Sequence, residues 1–221
     1  MTDPSFYLLL TAIFLANTIY GLASPFLPTV LDNKDVSSIW TGIIFASYAF
    51  AATIVSILTG KILEKAGHKN VITIGAFLMC AAIVSFGFVD DIDDKTLLIS
   101  ICVLLRICQG TAAGMINTSC YSFVSTAFPD NIESLISIME SFVGVGCTMG
   151  PVLGSFIYSS LGFGATFWVF GGLMGPVAIL ILLTLPKPTQ VKERGLADRN
   201  LSLNNDDMAG DRAASKVLTV E

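Results

Sequence analysis

The stretch Gly60-Lys-Ile-Leu-Glu-Lys-Ala-Gly-His-Lys69 separates two long apolar runs and decides the fold class of this chain. The runs on either side, residues 39–58 and 71–89, contain no formally charged side chain. Each run is close to the roughly 20 residues that a helix needs to cross a bilayer. We therefore expect the charged stretch to be a tight turn at the membrane surface, where its two glycines permit backbone conformations that other residues resist.

The composition of the 221 residues agrees with a membrane protein. Hydrophobic residues make up 53% of the chain and charged residues only 13%, and the mean hydropathy is +0.75. Soluble domains carry about 25% charged residues. The formal net charge of −5 offers no basic surface for nucleic acid, so we expect the lipid bilayer, and not nucleic acid, as the surroundings of this chain.

We predict an all-α membrane protein with six transmembrane helices. The predicted spans are residues 6–31, 39–58, 71–89, 97–128, 135–158 and 165–185. Short connections between them favour antiparallel neighbours, and no run alternates with the period of two that a membrane barrel requires. Residues 6–188 should form the helical bundle. Residues 189–221 are polar and should form a disordered cytosolic tail or linker.

Lysine and arginine are distributed unevenly between the two sides of the predicted bundle. One side carries Lys61, Lys65, Lys69, Lys187, Lys192, Arg194, Arg199, Arg212 and Lys216. The other side carries only Lys34 and Lys95, beside Asp32, Asp35, Asp90, Asp91, Asp93 and Asp94. The positive-inside rule therefore predicts that both termini are cytosolic. A vesicular or other endomembrane and the plasma membrane both remain open.

Two formal charges, Arg106 and Glu140, fall deep inside predicted spans. A charge at the centre of a membrane helix costs about 2.5–3.5 kcal/mol on insertion scales, so it normally faces a cavity or a partner. One interpretation is a structural Arg–Glu pair that holds two helices together. The other is a proton or substrate relay in which Glu140 is protonated in one conformation and ionised in the other. Neutral polar candidates for the cavity lining are Asn17, Tyr20, Asn117 and Tyr121.

The fifth predicted span has an unusual content of small residues. Gly146, Gly150 and Gly154 recur every four residues, which places them on one face where a second helix can approach closely. Pro151 removes a backbone hydrogen bond and permits a kink. This face is interpreted either as simple packing or as a pliable helix at a moving interface.

The residues that enzymes and metal sites need are not assembled in this sequence. The five cysteines all fall inside predicted spans without a metal-ligand spacing, and we interpret them as packing residues. The single histidine, His68, belongs to the charged turn. We therefore expect no enzymatic activity, no metal and no cofactor.

Three motifs in the expected order resemble those of the major facilitator superfamily of transporters. The loop motif is carried by Gly60, Glu64, Lys65, Gly67 and Lys69. The fourth-helix motif is carried by Arg106, Gln109, Gly110 and Ala113, and the antiporter motif by Gly146, Gly150, Pro151 and Gly154. Glu64 and His68 replace the usual Asp and Arg. The resemblance implies the N-terminal six-helix half of that fold, built as an inverted three-plus-three repeat, with a gating role for the loop motif.

Within that family the chain is most similar to the vesicular amine and polyamine transporters. The segments that carry this similarity are residues 24–28, 127–129 and 140–144, followed by Gly150 and Pro151. The resemblance implies proton-coupled antiport of an organic cation, such as a polyamine or another amine. Ala16 stands where monoamine carriers have an acidic residue, which disfavours monoamines. The implied partner is a C-terminal six-helix half, in the same chain or in trans.

An alternative function belongs to a different class. A six-span chain without a second half would be a truncated, non-transporting membrane protein that acts as partner or regulator of another membrane protein. It would bind that protein through the glycine face of the fifth span. The two functions differ in whether solute crosses the membrane.

Overall fold

The computed structural model describes residues 4–187, 189–190, 193 and 196–197, and within them the chain is helical with no strand. The helices are α1 (Pro4–Leu22), α2 (Leu27–Asn33), α3 (Ser38–Ala66), α4 (His68–Phe86), α5 (Lys95–Ala127) and α6 (Ile132–Thr184). Two short 3-10 helices, Val89–Asp91 and Pro129–Asn131, precede α5 and α6. The predicted all-α class is confirmed. Most of the predicted tail, and with it the expectation of disorder, lies outside the described residues.

Five helical stretches in the described part of the chain are long and apolar enough to cross a membrane. They are Pro4–Asn33, Ser38–Ala66, His68–Asp91, Lys95–Ala127 and Pro129–Thr184. The first stretch is divided between α1 and α2 at residues 23–26, next to Pro25 and Pro28. Pro28 lies in the first turn of α2, where the missing amide hydrogen costs no helical hydrogen bond.

The charged turn is shorter than the sequence predicts. Helix α3 continues through Gly60, Glu64 and Lys65 to Ala66, and α4 begins at His68. Only Gly67, with φ 79° and ψ 143°, leaves the helical conformation. The predicted turn from Gly60 to Lys69 is wrong in extent because lysine and glutamate are good helix formers, so charge alone does not end a helix where it reaches water.

Helix α6 contains the residues of the fifth and sixth predicted spans. Its 53 residues would extend about 80 Å as a straight helix, more than twice the roughly 30 Å of the hydrocarbon layer. The helix is interrupted at Gly162, where φ is 82° and ψ is −176°. Before this break the helix packs on α1 through Gly150, and after it Gly171 packs on Val84 of α4.

The described helices are arranged so that α5 lies between α3 and α4. Helix α1 packs against the first part of α6, and α4 packs against both α5 and the last part of α6. The common core includes large buried side chains of several helices, among them Phe86 of α4, Phe123 of α5 and Phe167 of α6. Only 17% of the most apolar 18-residue segment of α3 is buried, whereas 67% of the corresponding segment of Pro4–Asn33 is buried. Most of the apolar surface of α3 is therefore free to contact lipid or another protein.

Polar contacts tie the helix ends together on opposite sides of the bundle. At one end, Lys34 Nζ donates to the backbone oxygens of Asp90 at 2.5 Å and Ile92 at 2.6 Å. The exposed ion pair between Lys95 and Asp35, at 3.4 Å, lies at the same end.

At the other end, His68 Nε2 lies 2.9 Å from Ser122 Oγ and joins the start of α4 to the last turns of α5. The aspartate-rich segments and the lysine-bearing turn therefore occupy opposite ends of the bundle.

Candidate functional site

Arg106 is buried completely inside the bundle, between α3, α4 and its own helix α5. Its Nη1 donates to Gln109 Oε1 at 3.2 Å, one helical turn away. The guanidinium carbon lies 5.0 Å from the ring centre of Phe45, 5.3 Å from that of Phe86 and 6.0 Å from that of Tyr48. Cation–π contacts with three rings therefore surround this charge.

The Arg106 site contains more hydrogen-bond donors than acceptors. Arg106 Nε and Nη2 and Gln109 Nε2 are buried without a hydrogen-bond partner among the described residues. A buried charge without a carboxylate partner retains much of its desolvation cost. Among the described residues, the charge of Arg106 is therefore balanced by aromatic rings and one amide oxygen, and not by a carboxylate.

Glu140 lies on the exposed surface of α6, eight residues from its start, so that it is about 12 Å into the span. The Tyr121 hydroxyl is its side-chain hydrogen-bond partner. Arg106 and Tyr121 are separated by 15 positions of α5, or about 22 Å. The direct Arg106–Glu140 pair is therefore wrong for this structure. The sequence places both residues in apolar runs but does not fix their depths relative to one another.

Two asparagines extend the polar contacts from Glu140 toward the middle of the bundle. Asn17 Nδ2 donates to the backbone oxygen of Ile13 at 2.8 Å and lies 3.5 Å from Asn117 Oδ1, which connects α1 to α5. Asn117 lies one helical turn from Tyr121, on the same face of α5. Glu140, Tyr121, Asn117 and Asn17 thus lie in a row, with one helical turn between Tyr121 and Asn117, and we name this row the polar track.

Tyr20 belongs to a second cluster that begins next to the polar track. It lies one turn beyond Asn17 on α1, is 41% exposed, and its ring centre is 4.7 Å from that of Tyr48. Tyr48 in turn contacts Arg106. Sequence reasoning missed Tyr48 and its neighbour Phe45, because aromatic residues in an apolar run have the same pattern whether they face lipid or a buried cation.

Most residues of the loop motif surround an open cleft of about 470 Å³ at the lysine-bearing end of the bundle. Glu64, Lys65, Gly67 and Lys69 line it. Gly60 lies outside it, on an open helical surface. The gating role expected for this motif stays a prediction.

Gly110 of the fourth-helix motif permits the close approach of α3 and α5. A Cβ atom at Gly110 would collide with the backbone oxygen of Tyr48, and one at Gly114 would lie 2.7 Å from the backbone oxygen of Ala52. The approach brings Tyr48 over Arg106. Gly110 thus acts in packing, while Gln109 contacts the arginine directly.

The glycine face of the antiporter motif is occupied within the chain. A Cβ at Gly146 would lie 2.7 Å from the backbone oxygen of Phe14, and one at Gly154 would lie 2.7 Å from Leu22 Cδ1. A Cβ at Gly150 would be closer still, in collision with the backbone oxygen of Thr18. The expectation that this face binds a separate membrane protein is therefore wrong, because α1 already fills it.

Pro151 lies beside the same contact. Its Cδ would be 3.1 Å from a Cβ at Gly21 of α1. The glycines and the proline of α6 thus fit against a glycine of α1, which explains the concentration of small residues without a second protein.

Comparison with known proteins supports the motif assignment. The sequence model of the Major Facilitator Superfamily matches residues 9–218. MFS-type transporter SLC18B1 of Mus musculus is 30% identical over 176 residues, which cover 80% of this chain and 38% of the relative. The SLC18B1 protein of Homo sapiens is 30% identical over 166 residues, covering 74% of this chain and 36% of the relative.

A bacterial relative extends the similarity to a more distant transporter. Quinolone resistance protein NorA of Staphylococcus aureus is 24% identical over 184 residues, covering 83% of this chain and 45% of the relative. The chain thus spans less than half the length of these curated relatives. With a family match over nearly all of its length and five apolar helices in its structure, this multi-pass membrane chain belongs to the major facilitator superfamily.

Proposed function

We propose that this chain is the N-terminal six-helix half of a secondary active transporter that exchanges protons for an organic cation. The observation that carries the proposal is Glu140, an exposed carboxylate at membrane depth whose hydrogen-bond partner is Tyr121. Carboxylates in membrane helices commonly serve as proton relays or cation sites. The SLC18B1 and NorA relatives support transport as the activity.

The order of contacts supports six membrane crossings in place of five. Along α6, Gly146 meets Phe14 and Gly154 meets Leu22, so that residues 146–154 run parallel to α1. Later in α6, Gly171 meets Val84 at the end of α4 that faces the aspartate-rich segments.

The next contact in α6 gives the direction of the last crossing. Gly175 lies near Cys80, which is earlier in α4, so this part runs antiparallel to α4. Because Lys34 after α2 meets Asp90 after α4, α1 and α4 end on the same side. The chain therefore reverses at Gly162. Its first three crossings and its last three then form the proposed three-plus-three arrangement.

The orientation of the bundle in the membrane follows from the charged residues at its two ends. Lys61, Lys65, Lys69 and Lys187 lie at the end opposite the aspartate-rich segments. The positive-inside rule assigns that end, and with it both termini, to the cytosol. Antiport with protons would then move substrate away from the cytosol into a vesicle or out of the cell.

The geometry of the polar track suits an elongated organic cation. Glu140 and the Tyr20–Tyr48 ring pair lie about 10–15 Å apart along the bundle axis by helical rise, with Asn17 and Asn117 between them. A carboxylate binds one ammonium group and amide oxygens accept from a central amine. Because the Tyr48 ring already faces Arg106, we assign the second cation to the ring of Tyr20. A linear polyamine has amines that match these three positions.

A second half of the transporter completes the site in this proposal. The exposed apolar surface of α3 and the open side of Glu140 leave one wall of a cavity without its counterpart. The chain also spans only 38% of the mouse relative. A C-terminal six-helix half, in the same polypeptide or in another, supplies the opposite wall.

The test combines the mass of the endogenous protein with its transport activity. An antibody to residues 32–38 identifies the endogenous protein, whose denatured mass shows whether a second half is covalently attached. The purified protein is then reconstituted in vesicles, and uptake of radiolabelled spermidine is followed with and without a pH gradient. We expect uptake that stops when the gradient is collapsed. Uptake that is equal with and without the pH gradient would rule out proton coupling. Absence of spermidine uptake by the complete protein would rule out this substrate.

A further inference from the structure

The cleft at the α3–α4 turn has a strongly positive lining. Lys65 and Lys69 approach it from the turn, and Lys187 approaches it from the segment after α6. Glu64 is the only carboxylate among the lining residues, so that two positive charges remain uncompensated. None of these side chains forms an ion pair with another described residue.

Neutral hydrogen-bonding groups and backbone amides complete this lining. Asn70 contributes a side-chain amide with one hydrogen bonded to the backbone oxygen of Ala66 and a second hydrogen for a ligand, whereas the Thr126 hydroxyl lines the cleft but donates to the backbone oxygen of Ser122. Helix α4 begins at His68 without a side-chain cap, so the amides of its first turn are free to donate. Cations and amides together are groups that bind phosphate.

The cleft lies at the level of the lipid headgroups. The apolar run 39–58 ends three residues before Lys61, and the run 71–89 begins two residues after Lys69, so both helices should enter the hydrocarbon layer just beyond the cleft. Basic pockets between membrane helices at this level bind the headgroups of anionic lipids. A membrane lipid is presented there at high local concentration, whereas a soluble phosphate must arrive from dilute solution.

We infer that this cleft binds the phosphorylated headgroup of an anionic phospholipid. Lys65, Lys69 and Lys187 hold the phosphate charge, and the Asn70 side-chain amide and the first backbone amides of α4 hydrogen-bond to its oxygens. Because the cleft joins the ends of α3, α4 and α5 to the segment that follows α6, the bound lipid links elements that are distant in sequence. This site is separate from the polar track and does not depend on the proposed transport.

The experiment measures lipid retained by the purified full chain. The protein is equilibrated with mixed micelles of detergent and phosphatidylcholine that contain a small fraction of phosphatidylinositol 4-phosphate, and the phosphoinositide retained per chain is quantified by mass spectrometry. Lys65→Gln, Lys69→Gln and Lys187→Gln are compared with Lys61→Gln. Lys61 is the matched control because it lies on the same helix as Lys65 but does not line the cleft.

Each cleft substitution should weaken phosphoinositide binding about five-fold, the effect of one cation next to an anionic lipid, while Lys61→Gln changes it little. Equal losses from Lys61→Gln would overturn the site, because they would mean general surface attraction. Failure of the parent chain to retain phosphoinositide in excess of its fraction in the micelle would overturn it as well. Unfolding curves in phosphatidylcholine alone check that every variant is folded.

Two competitors distinguish lipid from soluble phosphate. Inorganic phosphate and a soluble inositol phosphate are added to the protein with bound phosphoinositide. We expect neither to displace the lipid at concentrations comparable to it. Displacement by the soluble inositol phosphate at equal concentration would contradict the membrane source and assign the cleft to a soluble anion.

Discussion

The Glu140 carboxylate is hydrogen-bonded to Tyr121, about 22 Å along α5 from the arginine that the sequence offered as its partner. The two charges of the membrane interior therefore have different surroundings. Arg106 is enclosed by rings and Gln109, whereas Glu140 is exposed next to a neutral hydroxyl. Only Glu140 is placed to exchange a proton or to contact a cation without first moving a helix.

Substitution of Glu140 by glutamine should remove proton coupling. The amide keeps the size of the side chain but cannot gain or lose the proton, and loss of a proton-transferring group typically costs about a hundred-fold or more in rate. We expect pH-driven uptake of labelled spermidine to fall by roughly that factor in vesicles that contain the complete transporter. Glu133→Gln, at the exposed start of the same helix, is the control and should transport normally.

Tyr121→Phe tests whether Glu140 needs its hydroxyl partner in order to exchange a proton. It removes the hydroxyl but leaves Glu140 titratable, so we expect transport to persist with an altered pH profile. If Glu140→Gln retained full proton-driven uptake, Glu140 would not be the relay.

Substitutions at two glycines of α6 should have opposite effects on stability. Gly150→Ala would place a Cβ against the backbone oxygen of Thr18, and overpacking of this kind costs about 1–3 kcal/mol. Gly144→Ala meets nothing within 4 Å and should stabilise the helix by about 0.5–1 kcal/mol. Thermal unfolding in one detergent compares the two. A Gly150 variant as stable as the Gly144 variant would mean that α1 does not fill the glycine face.

A similar pair tests the turn between α3 and α4. Gly67 has φ 79° and ψ 143°, a region that residues with a Cβ occupy at a cost of about 1–3 kcal/mol, so Gly67→Ala should lower the unfolding temperature. Gly60 is helical and has open space around it, so Gly60→Ala should raise that temperature. Both glycines belong to one motif, yet only Gly67 is required by the backbone. Equal destabilisation by the two substitutions would contradict the one-residue turn.

Replacement of Arg106 by methionine should separate stability from function. Methionine has similar length and removes a buried charge that has no carboxylate partner, and such replacements are often neutral or stabilising. We expect an unfolding temperature no lower than that of the parent, with reduced transport. A large decrease in unfolding temperature would instead mean that the contacts with Phe45, Tyr48 and Phe86 hold the bundle together.

Much of the fold follows from the sequence because lipid imposes simple rules on length and polarity. Uncharged runs near 20 residues predict helices, and most predicted spans overlap the observed ones. The exact ends do not follow, because helix propensity carried α3 past Gly60 to Ala66. A short connection between the fifth and sixth predicted spans was also expected, whereas the structure leaves the helical conformation there only at Gly162.

The sequence by itself determined that this chain is helical, lies in a membrane and carries the motifs of its superfamily, since these properties depend on composition and on spacing along the chain. Tertiary structure alone decided which residues meet. It separated Arg106 from Glu140, joined Asn17 to Asn117, and buried the Gly150 face against α1. The physical reason is that a membrane helix is apolar on every side, so its hydropathy pattern does not distinguish the faces that contact lipid, another helix or a cavity.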